Sequence, residues 1–163
     1  MSKQIKQVEQ NLNLACDAVS NIMIQDNYDE KKRGAILSAI KILLNSEDYV
    51  KMLMDQTNKI LKDKKIDSND YADLFIIVVQ SNDFMSKVMQ NSSVVISDFN
   101  IDSMQYIVFA AIYFGLVSCN ADQQTISGLV LVFPSLWKLV KIDPKKLVSG
   151  YKSIFGKIFK CCR

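Results

Sequence analysis

Glycine and proline, the residues that most often form turns and interrupt helices, are scarce in this chain, with 5 Gly and 2 Pro among 163 residues. Few turn formers imply few turns, which favours long helices over many short strands. Apolar residues make up 49% of the chain and charged residues 23%, as in globular domains. We therefore predict an all-α fold. It is a single compact bundle of about six to eight helices over residues 1–143, followed by an amphipathic basic helix over 144–163.

The spacing of apolar residues predicts where the individual helices lie. In the first, over 3–24, apolar residues recur every three or four positions in a heptad pattern. This stripe consists of Ile5, Val8, Leu12, Ala15, Val19 and Ile22. We expect it to face the interior of the bundle, with pairing to a second copy in a coiled coil as the alternative. A second helix is predicted over 29–45, and a third ends at about Lys62.

The polar, acid-rich stretch 63–70 invites comparison with a calcium-binding loop. It lacks the Gly at the sixth position and the bidentate Glu at the twelfth position of such loops. We expect a helix N-terminus instead, in which Asp67, Asp70 and Asp73 accept hydrogen bonds from backbone amides. Two helices should follow, over 71–80 and 82–90. The first of them contains six consecutive apolar residues, for which a buried strand is the alternative.

The segment 106–119 is the most apolar part of the chain and is predicted to be the central core helix. It would span about 21 Å, short of the roughly 30 Å of a bilayer core. A second apolar segment, 126–133, is expected to stop at Pro134, with the chain starting again at Ser135. A re-entrant membrane hairpin made of the two apolar segments is the alternative.

Most of the basic charge lies at the C-terminal end. Residues 138–163 contain eight basic residues and one acid, a net charge of +7, so the other residues carry −4 of the total of +3. On a helical projection of 144–162, the large apolar side chains fall within an arc of about 140° and the lysines lie opposite. The protein's own core, a membrane surface or the groove of another protein could cover this apolar face.

For attachment to a membrane or a partner, the candidate residues are lysines that would face headgroups or an acidic protein, and apolar residues that would insert. These residues are Lys145, Lys146, Lys152, Phe155, Lys157, Ile158, Phe159 and Lys160. The adjacent Cys161 and Cys162 are candidate acylation sites. Nucleic acid is the less favoured partner, because the aromatic side chains of the segment lie opposite its lysines and not among them.

Little in the sequence suggests catalysis. Histidine is absent, which removes the commonest general base and the commonest metal ligand. The four cysteines match no disulfide framework and no zinc-binding spacing, and no nucleotide-binding or zinc-protease motif occurs. We predict no enzymatic activity, no cofactor and no metal site. Because the first helix is polar and lacks a continuous apolar run, we expect an intracellular location.

The stretch 65–70, Lys-Ile-Asp-Ser-Asn-Asp, and the apolar run that follows it to Val79 resemble a recurrent element of small helical structural proteins of large DNA viruses. The bias toward Lys, Ile and Asn and the basic, cysteine-containing C-terminal segment are similar as well. The resemblance implies a minor capsid or virion-assembly component that lies between a shell and an inner membrane and has no catalytic residues.

We therefore expect a non-enzymatic structural or adaptor protein of a larger assembly, in its specific form a viral minor capsid component, attached through 144–163. The expected partners are other protein subunits, an anionic membrane surface and, through the 3–24 helix, a second copy. An acylated, membrane-associated regulatory or scaffold protein is the first alternative. A non-specific nucleic-acid-binding protein is the second. The expected location is intracellular, in a virion or at a membrane.

Overall fold

A computed structural model describes residues 2–91 and 101–142, and these residues form six α-helices. The helices are α1 (Lys3–Gln25), α2 (Glu30–Leu44), α3 (Glu47–Ile60), α4 (Tyr71–Asn91), α5 (Ile101–Ser118) and α6 (Gln123–Ile142). Two short 3-10 turns, Leu61–Asp63 and Ser68–Asp70, lie between α3 and α4. These two ranges contain no β-strand. The predicted all-α bundle is confirmed.

Helix α5 lies at the centre of the bundle, because its sequence is apolar on all sides. The other five described helices pack against it. Nearly all of its side chains from Tyr106 to Leu116 are buried, which confirms the central position predicted for the segment 106–119. Among the described helices, none is both long enough and apolar enough to cross a membrane.

Helix α1 runs antiparallel to α5, and polar contacts join the two helices at both ends of the length over which they pack. At one end, the Asn11 side-chain amide donates to the Ser118 hydroxyl at 3.1 Å. At the other end, the Tyr106 hydroxyl donates to the Asp26 carboxylate at 2.8 Å. The part of α1 between these contacts buries its apolar side chains in the core, so α1 is fixed along most of its length.

The buried stripe of α1 differs from the predicted one at its N-terminal end. Its middle part is buried as expected, whereas Ile5 and Val8 expose 55% and 48% of their surface. All residues of the stretch 2–10 are exposed, because Asn11 already lies opposite the last residue of α5. Most of the stripe is therefore used inside the bundle. Self-association through α1 remains a prediction, and Ile5 and Val8 are the stripe residues left open for it.

Helix α4 is one continuous helix, so the predicted division into 71–80 and 82–90 is wrong. The polar residues at 81–83 look like a break, but Ser81 is fully buried and its hydroxyl donates to the carbonyl of Ile77 at 2.6 Å. The Ser81 hydroxyl proton is occupied in that bond, so the Tyr49 hydroxyl, whose oxygen lies 2.6 Å from the Ser81 oxygen, donates to Ser81. The polar group is satisfied within the helix. The strand alternative is wrong as well.

Helix α6 continues through Pro134, so the predicted stop at Pro134 and restart at Ser135 are wrong. A proline inside a helix removes one backbone hydrogen bond and usually bends or ends the helix. Here Pro134 is exposed, while Phe133 and Trp137 on either side of it are buried. Packing of these two side chains on the core outweighs the local preference of proline.

The stretch 63–70 forms the predicted helix N-terminus through Asp67 and Asp70, whereas Asp73 lies in the first turn of α4 and, among the described residues, does not accept the predicted hydrogen bond. The carboxylate of Asp67 accepts from the backbone N–H of Asn69 at 2.8 Å. The carboxylate of Asp70 accepts in turn from the backbone N–H of Asp67 at 2.9 Å. This reciprocal arrangement is a capping box, and it starts the turn that leads into α4.

Candidate docking surface

The N-terminus of α6 is anchored through a carboxylate and a hydroxyl. The backbone N–H of Thr125 donates to the Asp122 carboxylate at 2.8 Å, which caps the helix. The Thr125 hydroxyl lies 2.8 Å from this carboxylate and 2.8 Å from the carbonyl oxygen of Lys64. Hydrogen bonds from Thr125 lower the pKa of Asp122, so the carboxylate stays ionised at the positive end of the helix dipole. Helix α6 is thereby tied to the connection that follows α3.

Gly128 allows α6 to approach that connection closely. A Cβ atom at Gly128 would lie 3.0 Å from the backbone oxygen of Ile66 and 3.5 Å from its Cβ. Ile66 is itself buried, so its backbone has little room to retreat. A larger residue at position 128 would move α6 away from the bundle.

The inner face of α6 packs on the core through aromatic rings. Phe133 meets Phe109 of α5 edge to face, with ring centroids 5.2 Å apart. It also stacks on Trp137, with centroids 5.8 Å apart. Leu129 and Leu136 are fully buried on the same side. This packing determines which side of α6 faces outward.

The C-terminal part of α6 carries an ion pair with α5. The Lys141 Nζ atom lies 2.6 Å from an Asp102 carboxylate oxygen. Both side chains are about half exposed, 47% and 48%, so the pair contributes little to stability. The pair neutralises the negative charge of Asp102 next to α6.

The side of α6 that faces away from the core carries exposed apolar side chains among polar ones, which include Ser127, Ser135 and Lys138. We call it the α6 outer face and define it by Val130, Leu131, Pro134, Lys138 and Leu139. Leu131 exposes 79% of its surface, and Val130 and Leu139 each expose 52%. At 100° per residue, the first four members fall within an arc of about 100°, and Leu139 lies about 80° beyond Leu131, with the exposed Ser135 between them. The five members therefore spread over the outer half of α6.

The α6 outer face contains the most exposed large apolar side chain of the described ranges, Leu131. Eight large apolar side chains are exposed in these ranges. Three of them lie within ten residues of one another on α6, and Ile5, Val8 and Leu14 lie within a span of the same length on α1. The sequence of α6 contains two lysines, Lys138 and Lys141, and no Asp or Glu. The surface is thus apolar at its centre and basic toward its C-terminal end.

The buried ionisable groups elsewhere are held in unreactive forms. Burial raises the pKa of the Cys16 and Cys119 thiols, so both remain protonated at neutral pH and are weak nucleophiles. Burial also raises the pKa of Tyr49 and Tyr106. Within the ranges 2–91 and 101–142, no three His, Cys, Asp or Glu side chains are placed to hold a metal ion.

The site residues predicted from the sequence all lie outside the described residues. They are Lys145, Lys146, Lys152, Phe155, Lys157, Ile158, Phe159, Lys160, Cys161 and Cys162. Sequence reasoning missed the α6 outer face, which comes immediately before them in the chain. The signal that could have revealed it is a long apolar segment, 126–140, with no acidic residue and with apolar side chains on both sides of the helix.

Comparison of the chain with protein-family models, curated proteins and solved structures finds no match. The functional interpretation therefore rests on the geometry and the charge of the α6 outer face.

Proposed function

We propose that the protein is a non-enzymatic structural or adaptor subunit of a larger assembly, which docks through the α6 outer face and the segment 143–163. One observation carries the proposal: Val130, Leu131 and Leu139 are exposed on a helix whose other side is buried against the core. Contiguous apolar patches on the surface of soluble proteins mark interaction sites. A rigidly held helix can present such a patch without first being ordered on binding.

The chemistry of the interior agrees with a binding role. The hydroxyl of Tyr49 and that of Ser81 are both used in one hydrogen-bonded pair inside the core. The Cys16 and Cys119 thiols are protonated because burial raises their pKa. These groups stabilise the packing of the helices on one another and are not arranged around a substrate.

The specific form of this proposal is a minor capsid component of a large DNA virus. Its support is the resemblance of the stretch 65–79, together with the basic, cysteine-containing C-terminal segment. Such a component would join a protein shell to an underlying surface, a task that needs an exposed contact face and no catalytic group.

Site-specific photo-crosslinking tests the docking proposal. A photoreactive phenylalanine analogue replaces Leu131 in one variant and Ile24 of α1, 53% exposed, in the matched control. Both variants are produced in cells where the assembly forms, and the adducts are identified by mass spectrometry. We expect a discrete adduct from position 131 that is absent from position 24. Equal labelling of the two positions, or none at either, would contradict docking through α6.

A further inference from the structure

We propose that the α6 outer face lies against an anionic membrane surface, with α6 parallel to the plane of the membrane. This inference rests on the proposed function, because it names the partner of the same docking surface. The occupant is a lipid bilayer that contains acidic headgroups. The described residues of α6 would provide the apolar contact, and the basic charge that begins on α6 would provide the attraction.

The shape of the surface suits the boundary between headgroups and acyl chains. Amphipathic helices that bind this boundary lie flat and bury their apolar side chains by only about 5–10 Å. Leu131, which exposes 79% of its surface, is the most protruding member. Val130 and Leu139 flank it at 52% each. Because the inner face of α6 is committed to α5, these side chains can enter a bilayer without unfolding the bundle.

The charge distribution selects an anionic bilayer. Residues 138–163 carry a net charge of +7, and the rest of the chain carries −4. An acidic surface attracts the first part and repels the second, which orients the molecule with α6 toward the lipid. Helix α6 contains no acid, and Asp102 beside it is paired with Lys141. Asp122 lies at the opposite end of α6, about 12 Å along the axis from Val130.

The same charges argue against a second copy as the occupant. A two-fold symmetric dimer places each surface against itself. Such a dimer would cover Lys138 of the α6 outer face, and α6 contains no acidic residue to pair with it. A charge that is covered without a partner weakens association. A membrane with acidic headgroups has the complementary charge instead.

Vesicle flotation with the purified, unacylated full chain tests the inference. The probes are vesicles of phosphatidylcholine alone and of phosphatidylcholine with 30% phosphatidylserine, at about 0.1 M NaCl. The test variant combines Val130→Gln with Leu131→Gln, and Leu139→Gln is a second, single variant. The matched control combines Leu14→Gln with Ile24→Gln, which are exposed apolar residues of α1. Circular dichroism verifies that each variant is folded.

We expect the wild-type chain to float with the anionic vesicles and not with the neutral ones. The test variant should bind about 10- to 100-fold more weakly, because partition depends on the apolar surface that is inserted. The control should stay within about twofold of wild type. This pattern would support the membrane contact.

Two outcomes would overturn the inference and leave the proposed function standing. In the first, the test variant binds anionic vesicles as tightly as the control, so that α6 takes no part in membrane binding. In the second, the wild-type chain binds neither kind of vesicle while position 131 still crosslinks to a protein, which identifies the partner as a protein. Absence of both vesicle binding and crosslinking would refute the inference and the proposed function together.

Discussion

Gly115 of α5 is a position where one added methyl group has no room. A Cβ atom there would lie 2.3 Å from the Thr57 hydroxyl oxygen. Thr57 is buried and its hydroxyl donates to the carbonyl of Leu53 at 2.7 Å. We expect Gly115→Ala to lower the free energy of unfolding by about 1–3 kcal/mol, because α3 and α5 must move apart. Urea denaturation measures the change.

Gly34 of α2 provides the control for that substitution. No atom lies within 4 Å of a Cβ built at Gly34, and the residue is exposed inside a helix. Gly34→Ala should therefore stabilise the protein by up to about 1 kcal/mol through helix propensity. If the two alanine variants changed stability in the same direction, close packing at Gly115 would not be the cause.

Tyr49 makes stability depend on pH in the alkaline range. Its side chain is fully buried, and burial raises its pKa above the ordinary value of 10.0. Above about pH 10 the unfolded chain therefore loses this proton while the folded chain retains it. The free energy of unfolding should fall by about 1.4 kcal/mol for each further pH unit from this residue alone. At lower pH both states are protonated and Tyr49 contributes no slope.

The Tyr49→Phe variant isolates that effect. It cannot ionise at this position, so its stability should decline less steeply than that of wild type between pH 10 and 11. Between pH 8 and 9 the two proteins should show the same pH dependence, offset by about 1 kcal/mol for the lost hydrogen bond to Ser81. Urea denaturation at each pH provides the measurement. If the free energies of unfolding of the two proteins ran parallel from pH 8 to 11, Tyr49 would have the same pKa in the folded and unfolded states.

At the scale of the helices, Pro134 weakens α6 without ending it. Proline has no backbone N–H, so the carbonyl of Val130, four residues earlier, loses its usual donor. Pro134→Ala restores this bond at an exposed position and should raise the free energy of unfolding by about 1–3 kcal/mol. Ser135→Ala, also exposed, should change it by less than about 0.5 kcal/mol. Thermal denaturation of both variants would reveal whether proline has any cost here.

The positions of the helices could largely be predicted from the sequence. Apolar spacing and capping residues located α1, α2 and α3 to within about two residues of the observed bounds. Helix α5 begins at Ile101, five residues before the predicted start at Tyr106. The two predicted breaks that the structure lacks, at Ser81 and Pro134, have one physical origin. Local signals for a break were present, but the residues on both sides pack on the same core. Such packing depends on contacts between segments far apart in the chain, which local patterns do not contain.

At the scale of the whole molecule, the docking surface was harder to predict than the fold. The stretch Leu129 to Phe133 is apolar throughout, so its pattern does not tell which side chains face outward. That choice follows from the position of α5, which buries Leu129 and leaves Leu131 79% exposed. The basic charge at the C-terminal end, by contrast, is evident from composition. Sequence therefore locates the region of the candidate site, and the tertiary structure selects the residues.

The exposed N-terminal part of α1 allows a test of self-association through this helix. Ile5 and Val8 are exposed, so replacing both with Gln should leave the free energy of unfolding within about 0.5 kcal/mol of wild type. If α1 pairs with a second copy, the same variant should lose concentration-dependent mass in analytical ultracentrifugation. Val19→Ala, at a fully buried position, should instead cost about 1–3 kcal/mol. A large loss of stability in the Ile5 and Val8 variant would show that these residues belong to the core.

The central helix is synthesised after four of the helices that pack against it. Helices α1 to α4 all pack against α5, which begins only at Ile101. At about 5–20 residues per second, a ribosome needs about one to five seconds to pass from the end of α4 to the end of α5. During that interval the first four helices lack the surface that completes their core. We therefore expect a growing chain of this protein to expose apolar surface until α5 is complete, and a chain that stalls before Ile101 to aggregate.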